Sequence, residues 1–326
     1  MSIFNKFLQK KDSQGIKSAV VYVWANLISR GLAIVTVPIF TRLMTTDEIG
    51  IVNLYTSSFS LIYIISTLSL SSGCFALAMK EYETKRNEYI SSIITLTSLT
   101  AIGYMLMVTF TGNIITQFTG LSPRLLKLIG IGLLVNPAMD FWLARQRYEY
   151  KYKRAAITTI LSALIASICS IIAVQYAAVR NYNTAEWRLF ANYFVLYLVN
   201  GILWISQLLK GKTFINKTFW SFSLKLSLPL MGYDIAAQIL NVSDRFMINN
   251  MVGPGAVGIY STLYTVSSIS IMIWNSLNAS FVPFLFENID KYESRVSKIA
   301  NRLLELYAGV ALLLTYFAPE IVKILA

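Results

Sequence analysis

The chain has 326 residues, of which 56% are hydrophobic and 13% charged, with a formal net charge of +12. A soluble domain averages about 25% charged residues, so this composition excludes a globule covered by its own polar surface. The chain has no histidine, which excludes His-based acid–base catalysis and His-ligated metal sites.

Nine long apolar stretches follow one another. A helix needs about 20 apolar residues to cross a bilayer, and backbone polar groups in lipid must be satisfied within the segment. Each stretch therefore predicts a transmembrane helix. Lys6, Lys10, Lys11 and Lys17 precede the first, 18–40. It is too long for a signal h-region and holds Arg30, so it reads as an uncleaved span. Asn26 lies about one turn before Arg30. A guanidinium at bilayer depth costs about 2.5–3.5 kcal/mol on insertion scales and must face protein or a wet cavity. Two readings stand: an anion contact, or an ion pair with an acid such as Asp234. Arg42 closes this span as a candidate outer gate.

Span two covers 49–78 and span three 89–115, with Lys80, Lys85 and Arg86 between them. Span four, 125–143, ends beside Asp140, read as local charge balance for Arg145 and Arg147. The run from Arg145 to Arg154 interleaves tyrosines with cations, as interface anchors do, with an anionic lipid headgroup as the second reading. Spans five and six cover 155–178 and 187–208. The two cysteines, Cys74 and Cys169, lie in different spans, which fits free thiols better than a disulfide framework. Trp24, Trp142, Trp187, Trp204 and Trp220 lie near predicted interfaces and read as belt residues.

Span seven, 222–251, carries Asp234, Asp244 and Arg245. Asp234 and Arg245 are eleven residues apart, so they share a face about 16 Å apart along the axis. Adjacent Asp244 and Arg245 point about 100° apart and need not pair. The acids are candidates for ion coupling, and Arg245 for substrate binding with Arg30 and Asn26. Spans eight and nine cover 256–286 and 299–318, and residues 319–326 look like the start of a tenth crossing. Most Lys and Arg fall in every second gap, which puts the N-terminus in the cytoplasm. The basic groups sit beside membrane helices and not on a soluble module, so no nucleic-acid partner is expected.

The chain also repeats itself: Gly50 and Gly258, 208 apart, fall on one another, and spans one to three map onto seven to nine. The expected architecture is an all-α polytopic membrane protein of two parallel repeats. Residues 1–209 form a six-helix bundle and 210–326 a partial second bundle, which implies a chain truncated at its C-terminus.

The segment Ile28-Ser29-Arg30-Gly31-Leu32-Ala33, then Pro38 to Leu43 and Glu48-Ile49-Gly50, resembles the opening of Wzx-type polysaccharide flippases. So does Asp244-Arg245-Phe246-Met247-Ile248, followed by Gly253 and Val257-Gly258-Ile259-Tyr260. These belong to the multidrug/oligosaccharidyl-lipid/polysaccharide superfamily. The resemblance implies two bundles around a central cationic cavity. It implies translocation of an undecaprenyl-pyrophosphate-linked oligosaccharide across the bacterial cytoplasmic membrane, for O-antigen, capsule or exopolysaccharide. The partners expected are that lipid-linked oligosaccharide, membrane lipids, a polysaccharide polymerase and a chain-length regulator, with no cofactor and no enzymatic activity. The alternatives are a multidrug/cation antiporter of the same superfamily, against which Arg30 counts, and a polymerase-like membrane enzyme, for which clustered acid–base residues and a large outer loop are missing.

Overall fold

The structure is a computed structural model that describes residues 31–32, 35–71, 74–149, 151–265, 267–268, 270–271, 274, 293–317, 320 and 323. It is helical, with no strand among the described residues. In chain order the helices are α1 (35–43), α2 (Thr46–Thr67), α3 (Cys74–Glu81), α4 (Arg86–Thr119), α5 (Pro123–Tyr148), α6 (Tyr152–Val179), α7 (Thr184–Gly211), α8 (Lys217–Met251), α9 (254–265) and α10 (Glu293–Tyr316). Among the described residues, α2, α4, α5, α6 and α7 are long and apolar enough to cross a membrane. Five ionisable residues, Lys217, Lys225, Asp234, Asp244 and Arg245, lower the apolar character of α8.

Helix starts follow from local chemistry. Thr45 and Glu48 form a reciprocal capping box at α2. Asn183 and Asn216 accept from backbone N–H groups at the starts of α7 and α8. The stretch 49–78, read as one span, is divided. Leu68 and Ser69 take left-handed backbone angles, φ 52° and 51°, and end α2 before α3 begins. Hydropathy alone does not register such a break, because the turn residues are themselves apolar or small.

Two compact units are formed by packing, Met1–Gly258 and Ile259–Ala326. The first includes α8 because α8 packs along α2 and α4. Gly50 lies against Pro254, three residues beyond the end of α8, and Ser60 against Gln238 within it, so α2 and α8 run antiparallel. Within this unit α4, α5 and α7 pack on one another, and α6 lies along α7. One core cluster gathers Tyr55, Leu126, Leu133 and Tyr197, and a second gathers Phe75, Tyr89, Phe141 and Phe219.

The outward faces are apolar. On α6 Ile157, Leu161, Ile165, Ile168 and Ile172 form an exposed stripe at helical spacing, and Phe110 of α4 is 84% exposed. That is the surface a lipid-facing helix presents. Inside, polar links between helices supplement the apolar cores, as expected where lipid weakens the hydrophobic drive for helix association. Tyr89 Oη and Ser223 Oγ are 2.6 Å apart. Trp204 donates to Ser98 (3.1 Å) and Trp220 to the Ser92 carbonyl (3.0 Å). These two tryptophans therefore fasten helices within the bundle, and Trp187 stacks on Tyr182 at the surface. Both cysteines are free thiols. In the second unit the ring of Tyr307 on α10 lies 5.1 Å from that of Trp274, and its hydroxyl is 2.8 Å from Ser270 Oγ.

Candidate functional site: a polar seam inside an apolar bundle

Asp234, Gln238, Asn241 and Arg245 are spaced 4, 3 and 4 residues apart on α8, which puts them on one face. Gln238 Nε2 donates to Ser60 Oγ of α2 at 2.7 Å, so the middle of this polar stripe meets α2. Arg245 Nη1 donates to the Asn241 carbonyl at 2.6 Å and lies 3.5 Å from Asp244 Oδ1. Adjacency had suggested that Asp244 and Arg245 need not pair. They do, because the arginine folds back along its own helix. Its side chain is only 12% exposed. Arg42 is exposed at the end of α1, close to the Thr45–Glu48 cap. Asn26 and Arg30 lie outside the described residues.

Beside this stripe the bundle interior holds a polar set that sequence reading had underrated. Asp140 makes no ion pair with Arg145 or Arg147, although the charge of Arg147 still acts on it. It is half-buried and accepts a 2.5 Å hydrogen bond from Tyr63 of α2, while Arg145 turns to Glu149 (2.7 Å) and Asn87 (2.6 Å). No cation lies within 4 Å of Asp140 among the described residues. Asn200 of α7 donates to Asn136 Oδ1 at 2.8 Å, and Gln207 Nε2 to the Ala138 carbonyl at 2.8 Å. Pro137, inside α5, sits between these contacts. From Tyr63 an aromatic column runs through Phe59 and Tyr55 to Tyr193, with successive ring centroids 5.1–6.3 Å apart. Near its end Arg188 lies 3.6 Å over the ring of Phe40 and donates to Met44 Sδ at 3.8 Å. This cation–π seat replaces a carboxylate partner. The sequence signal for Arg188 was a cation two residues inside span six, which a topology reading assigns to the interface.

A cavity of about 800 Å³ opens between α2, α4 and α8. Its walls are apolar: Leu61, Ile62, Met107, Ile239 and Phe246 dominate, with Ser58 and Ser243 between them. It occupies the face of α8 next to the polar stripe. Among the described residues no group of acids and thiols is placed to hold a metal ion.

Residues 16–289 match the model of a family described as polysaccharide biosynthesis protein. The chain belongs to that family. Among solved structures, the polysaccharide biosynthesis chain is similar to an inward-facing multidrug resistance transporter of the MATE family, in the MOP superfamily. The TM-score is 0.61 at 11% identity, over 91% of this chain and 71% of that chain. At that identity the likeness establishes the fold, which is that of a multi-pass membrane transporter. The comparison with curated proteins gave no match.

Proposed function

We propose that this protein translocates an undecaprenyl-pyrophosphate-linked oligosaccharide across the bacterial cytoplasmic membrane by alternating access around a cationic cavity. The observation that carries the reading is the polar seam of α8, with a mostly buried guanidinium at Arg245 beside an apolar cavity, in a chain of the polysaccharide biosynthesis family. An amphiphile with a charged, sugar-bearing head and a prenyl tail needs both surfaces. Burying an unpaired pyrophosphate in hydrocarbon is prohibitive, and Arg30, Asn26 and Arg245 supply the replacement for its lost hydration. Arginine suits this role because its planar fork matches phosphate oxygens bidentately. The apolar cavity between α2, α4 and α8 accommodates part of the prenyl chain.

Asp234 and Asp244 are the coupling candidates, and Asp140 joins them as a carboxylate held by a tyrosine inside the bundle. Arg42 serves as the outer gate, and the N-terminus is cytoplasmic. Polymerase and chain-length regulator are the partners that would consume the product. The family and the transporter fold favour transport over covalent chemistry.

Replacement of Arg30 by alanine in the full-length protein tests this reading. Surface polysaccharide should fall at least tenfold with membrane insertion intact, and Arg30→Lys should restore only part of it, because a point charge lacks the fork. Normal polymer from Arg30→Ala would remove that residue from the mechanism.

A further inference from the structure

Three polar groups inside the first unit keep bonding capacity that the bundle does not use, and a wall of aromatic faces joins them. Arg188 and Tyr193 stand on α7 and Asp140 on α5. An arginine carries five N–H donors. Among the described residues the acceptor for Arg188 is Met44 Sδ at 3.8 Å, a weak one, and no carboxylate lies within 4 Å. The Tyr193 hydroxyl makes no hydrogen bond among the described residues. Asp140 uses Oδ2 for Tyr63, at 2.5 Å, which leaves Oδ1. All three side chains keep part of their surface accessible, and none of these free atoms is sealed off. A tyrosine that only fills a core looks different: Tyr89 is 0% exposed and its hydroxyl lies 2.6 Å from Ser223 Oγ.

The wall between them is continuous. The Tyr193 ring lies 6.1 Å from that of Phe59, and Phe59 5.5 Å from Tyr63, and all three are half-buried. Glu48 accepts from the Thr184 N–H at 2.9 Å and Phe59 meets Tyr193 further on, so α2 and α7 run parallel. Arg188 precedes Tyr193 by five residues on α7, and Phe59 precedes Tyr63 by four on α2. The wall therefore extends roughly 14 Å along the helix axes, room for a phosphate followed by one or two sugar rings. An arginine fork matches phosphate oxygens. The negative face of an aromatic ring attracts the C–H face of a pyranose. A carboxylate oxygen accepts from hydroxyls and repels a second carboxylate.

We propose that this wall reads the sugar of the transported headgroup. Arg188 takes a phosphate, the adjoining pyranose lies across Tyr193, Phe59 and Tyr63, and a sugar hydroxyl donates to Asp140. The class selected is a neutral sugar, because the carboxylate of a uronic acid would face Asp140. The inference rests on the transport reading, since it takes a glycosyl diphosphate as the cargo, and it adds the residues that distinguish one sugar from another.

The test measures equilibrium binding of three fluorescent probes to the full chain in nanodiscs: farnesyl diphosphate, farnesyl diphosphoglucose and farnesyl diphosphoglucuronate. The wild type should bind the glucosyl probe about tenfold more tightly than either of the others, the size of one stacking contact or hydrogen bond. Phe59→Leu and Tyr193→Leu should each remove most of that gain and leave the affinity for farnesyl diphosphate unchanged. Phe59→Tyr, which keeps the aromatic face, should keep the gain. Arg188→Gln should weaken all three probes about tenfold. Asp140→Asn should raise the glucuronosyl probe to the glucosyl level. Melting temperature without probe identifies a variant that fails to fold, and either leucine variant alone decides the stacking. Equal wild-type affinity for the glucosyl and unglycosylated probes, a full preference in a folded leucine variant, or binding of none of the three would overturn the inference. Transbilayer exchange of a labelled glycosyl diphosphate in liposomes separates the two readings. Exchange without sugar preference fails this inference alone, and sugar preference through these residues without exchange fails transport alone.

Discussion

Glu149 shows how one carboxylate joins two helices at a membrane surface. Burial works to raise its pKa. Hydrogen bonds from Lys151 and Arg145, with their charges, outweigh burial and hold it below the ordinary value of 4.5. A carboxylate depressed in the folded state stabilises that state above its unfolded value, and the stabilisation is lost as pH falls through the folded value. The α5–α6 corner should therefore be fully braced above about pH 4.5 and loosen below it. The contribution is about 1 kcal/mol or less, because Lys151 is 54% exposed and such pairs are screened. Melting temperature against pH is the measurement: the wild type should lose stability below pH 4.5, and Glu149→Gln should be lower at pH 7 and flatter in acid. Parallel curves would mean that the bridge contributes nothing. Asp140 is a different case. It is charged in sequence like its neighbours, yet it turns inward to Tyr63, and only the rotation of α5 against α2 distinguishes the two.

At the level of elements, α2 meets residues 254–258 in the closest approach to a glycine among the described residues. A Cβ on Gly50 would fall on the Pro254 carbonyl, and one on Gly258 on the Thr46 carbonyl. The sequence offset of 208 pairs the same two glycines. Small residues admit such close crossings in membranes. Gly50→Ala should cost about 2–3 kcal/mol through backbone displacement, lowering the melting temperature. Gly201→Ala, where nothing lies within 4 Å, should be neutral or stabilising, as alanine favours a helix over glycine by about 1 kcal/mol. Equal effects would remove the close approach as a cause.

Helix positions were legible because a 30 Å hydrocarbon layer imposes a length that sequence must record. Stretches 89–115, 125–143, 155–178 and 187–208 sit inside α4, α5, α6 and α7 with one to five residues to spare at each end. The break at Leu68 and Ser69 was illegible, since it involves backbone angles and not polarity. The polar face of α8 was legible from the spacing of Asp234 and Arg245. The inward turns of Asp140, Trp204 and Trp220, and the aromatic seat of Arg188, were not, because hydropathy measures how apolar a segment is and not which neighbour its rare polar atoms meet.

Among the described residues, the first unit sets apolar faces outward, polar fasteners inward, and a seam of charge along α8 beside an apolar cavity. Its family is that of polysaccharide biosynthesis proteins and its fold that of a membrane transporter. The central claim is that arginines at bilayer depth escort a pyrophosphate headgroup across. Purified full-length protein in liposomes, supplied with a fluorescent polyprenyl-pyrophosphate oligosaccharide in one leaflet, tests this through the rate at which a membrane-impermeant quencher or lectin gains access to label in the other. The wild type should exchange label at least tenfold faster than empty liposomes, and Arg30→Ala and Arg245→Ala should each return the rate towards the empty control with insertion unchanged. Exchange at the wild-type rate in both variants, or none in the wild type, would contradict the account.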